Sequence, residues 1–211
     1  MKTLGKIFYK YRSYTPLPFV FVMLLFVDSN ATSLIIGFII AMIGESIRIW
    51  AVGYFGSVSR ATSQFVDASL ITQGPYSYLR NPLYLGNIII YLGLGIMSLS
   101  FFPYLQLIAI VYFSFQYYCI VISEEEYLSN KYNGSYDIYR KKVKRFLPRK
   151  NLLPFEISST LPFNFYAGLK SEKRSLQALI VTAVLLLIFY LSGTTLPDLF
   201  KIFYTQDVIA R

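Results

Sequence analysis

No histidine occurs among the 211 residues, cysteine occurs once, at Cys119, and charged side chains occupy only 15% of positions. Each shortage removes a class of chemistry. Without histidine the commonest general base and metal ligand is missing. A lone cysteine rules out a disulfide framework and a thiolate metal site within the chain. A Ser-His-Asp hydrolase, a zinc enzyme and a thiol enzyme are thereby excluded, and no metal site is expected. No internal repeat or low-complexity tract stands out, and nothing away from the apolar segments offers stacking platforms for nucleic acid.

What the chain has in abundance is apolar surface: 55% of residues fall in the hydrophobic class. That composition points to an integral membrane protein, all-α and polytopic, rather than a soluble domain. A spanning helix needs about 20 mostly apolar residues. Five segments qualify as candidates, namely Thr15–Val27, Leu34–Phe55, Leu83–Leu99, Phe102–Ile122 and Leu176–Leu191, the first and third being short. Nothing at the N-terminus reads as a cleaved signal. The formal net charge of +9 is distributed unevenly. Lys2, Lys6, Lys10 and Arg12 precede the first span, Arg60 and Arg80 lie in the second loop, and a dense basic run follows the fourth span, whereas Asp28–Ser33 and Ser100–Pro103 carry no positive charge. The positive-inside bias then places the N-terminus and both large loops in the cytoplasm and the C-terminus on the opposite side.

Residues 1–14 read as a basic, tyrosine-bearing interfacial lead-in, with Lys and Arg snorkelling to headgroups. Glu45 and Arg48 share a helical face inside the second span. Intramembrane charge is costly unless paired, so the two are either functional or a satisfied pair holding helices together. Trp50 and Tyr54 mark an interface, and the loop from Gly56 to Gln73 connects. Gly74-Pro75 can reverse the chain, and Asn81-Pro82 restarts it: Pro pushes Asn81 out of the α region, and Asn81 caps a helix whose first residue is Pro82. The positive end of that helix would suit an anionic group, and Gly86 leaves its first turn open to a ligand or another backbone. Gly86 and Gly93 lie on one face, which Ser100 continues, a pattern that lets helices approach closely. Pro103 makes a tight hairpin.

The fourth span ends in Glu124-Glu125-Glu126. Three carboxylates at a helix C-terminus oppose its dipole, so positive charge should stand nearby. Tyr132, Tyr136 and Tyr139 share a face beyond an interruption at Asn133-Gly134, and the basic run Arg140–Arg145 suits topology and anionic lipid headgroups. Residues 149–175 form an interfacial linker, and 176–193 the last transmembrane helix, within one membrane domain covering 1–211. The polar groups gathered at the cytoplasmic edge are Tyr76, Tyr78, Arg80, Asn81, Tyr84, Glu124, Glu125, Tyr136, Tyr139 and Arg145. They could form an aromatic, charged pocket beside lipid. Arginine takes a carboxylate bidentately, carboxylates take hydroxyls or an ammonium, and tyrosine faces suit a sulfonium.

The stretch Gly74-Pro-Tyr-Ser-Tyr-Leu-Arg-Asn-Pro-Leu-Tyr-Leu-Gly86, followed by Glu124-Glu125, Tyr132, Tyr136, Tyr139 and Val143-x-Arg145-Phe-Leu-Pro148, resembles the isoprenylcysteine carboxyl methyltransferase and phospholipid methyltransferase superfamily over residues 72–148. The resemblance implies S-adenosylmethionine as cofactor and a lipophilic acceptor entering from the bilayer. Carried over by position, it puts Arg80, Asn81, Tyr84 and Gly86 on one side of the cofactor, with Tyr76 in the lining. Glu124 or Glu125, with Tyr136, Tyr139 and Arg145, stands on the other side, and Arg80 and Glu125 are the two residues expected to serve catalysis. Asn81 stands where the family usually has His, which removes a titratable group, and Asn133 stands where Gly is common. A methyl transfer from a sulfonium is an in-line displacement that depends mainly on alignment. An anionic acceptor needs no base, whereas an amine would need Glu124, Glu125 or a tyrosinate. Two other readings are an NADPH-dependent reductase of the sterol-reductase type, with the basic run on a 2′-phosphate, and a non-catalytic binding protein that kept the pocket.

Overall fold

The computed structural model describes residues 2–55, 70–132, 134–148 and 163–198. Among them it is helical throughout, with no strand. The elements are α1 (Lys2–Tyr11), α2 (Leu17–Leu25), α3 (Ala31–Phe55), a 3₁₀ turn (Gly74–Ser77), α4 (Pro82–Ser98), α5 (Tyr104–Lys131), α6 (Ser135–Lys142) and α7 (Phe165–Ser192). Three of these, α3, α5 and α7, are long and apolar enough to cross a membrane, and α4 is a shorter apolar helix. The five expected spans thus appear as three full-length helices, the 17 residues of α4 and the nine of α2. Large apolar side chains face outward on the long helices, among them Ile35 and Ile39 on α3, Ile108 and Val111 on α5 and Val181 and Ile188 on α7. An outer surface of this kind suits lipid.

Local chemistry explains where the helices begin. Asn30 and Ser33 cap α3 reciprocally: Asn30 Oδ1 accepts from the Ser33 N–H at 2.9 Å, and Ser33 Oγ accepts from the Asn30 N–H at 3.0 Å. Asn164 caps α7 by accepting from the Ala167 N–H at 2.9 Å. That cap starts α7 at Phe165, not at Leu176 as the sequence suggested, so 165–175 are helical turns rather than linker. Residues 149–162 and the connecting loop 56–69 lie outside the described residues.

Three helices pack through small residues. A Cβ at Gly93 would stand 2.5 Å from the Ala41 nitrogen and 2.6 Å from the Gly37 oxygen. One at Gly86 would stand 2.8 Å from the Gly44 oxygen. Gly37 meets Gly93 and Gly44 meets Gly86, so α3 and α4 run antiparallel with their backbones in contact, as the Gly86/Gly93 spacing anticipated. Gly168 brings α7 against α3 in the same way, its Cβ position 2.7 Å from the Ile49 oxygen. Ser100 does not continue the glycine face. It follows the end of α4, and its hydroxyl donates to the Met23 and Phe26 carbonyls at 3.0 and 2.7 Å, tying α2 to the α4–α5 turn. The first helix, α1, packs on α5: Gly5 touches the Cys119 carbonyl, and Phe8 meets the Phe115 ring at 6.2 Å.

Candidate functional site

The start of α4 and the end of α5 meet at one end of the bundle, called here the mouth. The chain reaches it through the 3₁₀ turn, which Gly74 enters at φ +57°, a conformation glycine tolerates. Pro82 then opens α4 and Asn81 occupies its N-cap position, but the Asn81 side chain caps nothing. It is drawn away: Asn81 Nδ2 donates to the Arg145 carbonyl at 3.2 Å, while the neighbouring Arg80 N–H donates to the Lys144 carbonyl at 2.9 Å. Two consecutive residues thereby fasten the 3₁₀ turn and α4 to the segment after α6.

Glu125 is the centre of the mouth. Its Oε1 lies 2.8 Å from Arg80 Nη1, and Arg145 grips the carboxylate from the other side, Nη2 to Oε2 at 2.8 Å and Nε to both oxygens at 3.1 Å. The positive charge demanded by the triple glutamate is therefore present, from residues 45 positions upstream and 20 downstream in the chain. Buried charge-assisted pairs with bidentate geometry are the strong kind. The hydrogen bonds to Glu125 also raise the Arg145 pKa, against a smaller opposing effect of burial. Arg80 keeps a buried Nε with no hydrogen-bond partner. Two guanidiniums over one carboxylate leave net positive charge facing the site.

Glu124, next in sequence, points to a different set. It accepts from the Tyr84 hydroxyl at 2.7 Å. The Tyr84 ring stacks on Tyr117 with centroids 4.7 Å apart. Behind the clamp, Tyr136, Tyr139 and Val143 form a buried cluster with Leu128 and Tyr132. The Tyr139 hydroxyl donates to the Tyr76 carbonyl at 2.7 Å, closing α6 onto the 3₁₀ turn. Burial pushes Tyr136 up to about 12, with the Glu125 charge adding to it. The same desolvation raises Tyr139 and Tyr76 well above the ordinary tyrosine range. These phenols stay neutral and serve as hydrogen-bond and packing groups.

Of the residues expected to build one site, Tyr76, Arg80, Asn81, Tyr84, Glu124, Glu125, Tyr136, Tyr139 and Arg145 come together at the mouth. Gly86 does not: its bare face is taken up by the Arg48 stem, whose Cγ would lie 2.6 Å from a Cβ there, and by the Gly44 carbonyl. The opening in the first turn of α4 serves helix packing, not a ligand. Asn133 lies outside the described residues, although Gly134 beside it takes φ +89° and makes the turn between α5 and α6. Sequence reasoning missed the polar residues Asn87, Tyr91 and Tyr117 behind the mouth. A polar side chain within an apolar helix was the available signal.

The family model for phospholipid methyltransferases matches residues 32–135, from α3 to the first residue of α6. A protein-S-isoprenylcysteine O-methyltransferase of Schizosaccharomyces pombe is 36% identical over 88 residues, which are 42% of this chain and 36% of that protein. Together these two matches support placing the chain in the isoprenylcysteine and phospholipid methyltransferase superfamily. Within that superfamily match lie Arg80, Asn81, Tyr84, Glu124 and Glu125, whereas most of α6, Arg145 and all of α7 fall beyond it. Two other relatives carry different names. The nickel-cobalt-cadmium resistance protein NccN of Alcaligenes xylosoxydans is 34% identical over 90 residues, 43% of this chain and 41% of that one. The cobalt-zinc-cadmium resistance protein CzcN of Cupriavidus metallidurans is 28% identical over 126 residues, 58% and 54% of the two chains. The chain thus spans about half or less of the length of the curated relatives it matches. No solved structure matches it.

Proposed function

We propose that this membrane protein transfers a methyl group from S-adenosylmethionine to a lipophilic acceptor, with the mouth as the cofactor site on the cytosolic side. The observation that carries this reading is the meeting of the α4 entrance with the α5 exit around Glu125, inside a superfamily match whose family description names phospholipid methyl transfer. The donor set fits the cofactor. Net positive charge and the unpartnered Arg80 Nε suit its carboxylate, Glu124 suits an ammonium or hydroxyl, and tyrosine faces suit a sulfonium. When bound, the cofactor supplies an electrophilic methyl group.

The chain's own residues orient and seal. Arg80 and Arg145 are held by Glu125, so neither guanidinium needs to reorganise on binding, and such preorganisation is the main source of electrostatic catalysis. Glu125 is committed to that clamp, which makes it a positioning residue and leaves Glu124 as the carboxylate facing the acceptor side. Tyr76, Tyr136 and Tyr139 exclude water behind the clamp. Alignment of donor and acceptor can contribute roughly 7–11 kcal/mol to such a displacement. An apolar groove of about 570 Å³ along α3 runs from Phe38 through Met42 to Trp50, and the Trp50 ring lies 6.2 Å from Tyr78 of the 3₁₀ segment. It supports entry of a lipid tail alongside the mouth.

The test is a thermal-shift titration of the purified chain with S-adenosylmethionine, S-adenosylhomocysteine and NADPH. Saturable stabilisation by the two sulfur compounds is expected, and by mass action it should grow with the logarithm of ligand concentration. Stabilisation by NADPH alone would indicate a reductase, and by none of the three a non-catalytic relative. Incubating membranes with methyl-labelled donor and identifying the labelled lipid then names the acceptor.

A further inference from the structure

Beyond the matched region, α7 sends two polar side chains into the bundle interior. Glu172 Oε2 accepts from Arg48 Nη2, and Ser175 Oγ donates to Glu45 Oε2 at 3.0 Å. Glu45 also lies 3.5 Å from Arg48 Nε. The Arg48 stem crosses α4 over Gly86, and its Nη1 donates to Asn87 Oδ1. Asn87 turns its other end to the Tyr117 hydroxyl, Nδ2 to oxygen at 3.0 Å. Tyr117 stacks on Tyr84, which donates to Glu124 at the mouth. Glu172 is 1% exposed, Glu45 0% and Tyr117 1%.

The direction of these bonds is forced. A guanidinium only donates, so Asn87 must present its carbonyl to Arg48 and its amide nitrogen to Tyr117. The Tyr117 oxygen therefore accepts, and its own proton is free for Tyr91, whose oxygen lies 3.4 Å away. Turning Asn87 over would set donor against donor at Arg48 and leave buried groups mismatched at both ends. The anchoring of Arg48 thus fixes Asn87, Asn87 fixes Tyr117, and Tyr117 is the plate on which Tyr84 rests. This path also gives Gly86 a reason: a side chain there would displace the Arg48 stem.

We propose that Glu172 is a positioning residue for the mouth, and that α7 sets the placement of Tyr84 and Glu124 through Arg48, Asn87 and Tyr117. The proposal goes beyond the methyltransferase reading and rests on it only for the ligand in one arm of its test. That test is a double-mutant cycle on the full chain in lipid nanodiscs with Glu172→Ala, Tyr84→Phe and the double variant, plus Glu172→Gln, which keeps an acceptor for Arg48. S-adenosylhomocysteine affinity is measured by calorimetry. Glu172→Ala should weaken binding at least about threefold, Glu172→Gln should recover part of the loss, and Glu172→Ala should cost much less in the Tyr84→Phe background, because residues this far apart add independently unless coupled. Unchanged affinity in Glu172→Ala, or losses that simply multiply, overturns the proposal. Should the parent chain bind no S-adenosylhomocysteine, the methyltransferase reading fails, and the ligand-free melting temperatures decide the inference. A double-variant shift smaller than the sum of the singles supports it, and an additive shift overturns it.

Discussion

At the mouth two arginines share one glutamate, while in the interior one arginine bridges two glutamates. The same ion types serve both places, yet the arrangements differ in reach and access. The mouth clamp joins the 3₁₀ segment, α5 and the chain after α6, and Arg145 is 35% exposed, so solvent screens part of it. The interior bridge joins α3 to α7 where the Arg48 side chain is only 11% exposed and its partners less. A clamp with spare positive charge at an accessible edge is suited to receiving an anion. A bridge sealed among helices is suited to holding them in register.

That contrast predicts a graded series of losses. Arg48→Ala should be the most damaging, since it strands two buried carboxylates; a cost of about 3–5 kcal/mol is expected for breaking such a pair, read as a collapse in the melting temperature or loss of monodisperse protein. If Arg48→Ala melts like the parent, the interior bridge is not structural. Glu125→Ala comes next, leaving Arg80 and Arg145 facing each other, at about 1.5–3 kcal/mol for its charged hydrogen bonds. It should also lower S-adenosylhomocysteine affinity, and a variant that binds as well as the parent would remove the mouth from the cofactor site. Arg145→Ala should cost about 1 kcal/mol, because its partner keeps Arg80 and water reaches the gap. Arg140→Ala, whose contact with Asp137 is surface-exposed at 3.0 Å, should shift the melting temperature within error, at most about 0.5 kcal/mol.

Alkaline titration sharpens the same comparison from the tyrosine side. Tyr136 titrates near 12 when folded against an ordinary value near 10, so below pH 10 both states hold the proton and nothing is lost. Above pH 10 the unfolded chain releases it first, and stability should fall as pH rises. Absorbance at the tyrosinate band should therefore fall short of the full tyrosine count until the mouth opens. A group ionising normally at pH 10 in a Tyr136-only reporter variant would show that the cluster behind the clamp is wet.

Several features could be read from neighbouring residues alone. Glu45 and Arg48 were legible as a pair because helical geometry puts positions three apart on one face, and Pro82 was legible as a helix start because proline fixes φ and lacks an N–H. The mouth was legible as a set of residue types. Other features were hidden for reasons of distance. Glu172 stands 124 positions from Arg48, in a stretch whose alternation of Pro, Phe and polar groups made it read as an interfacial linker. Gly86 read as room for a ligand or another backbone, because a sequence shows a missing side chain but not what fills the space. Asn81 looked like a cap until the Arg145 carbonyl offered its amide a competing acceptor.

By itself, the order of residues determined that this protein is helical and apolar, where its turns fall and which polar groups would have to find partners, because propensity, hydropathy and charge balance act over short spans of chain. Only the tertiary structure decided which glutamate took which arginine, that adjacent Glu124 and Glu125 face different neighbours, and that glycine gaps on α4 belong to α3. Those choices depend on which surfaces meet when helices pack, and in a low-dielectric interior each buried charge is bound to whatever partner the packing brings within reach.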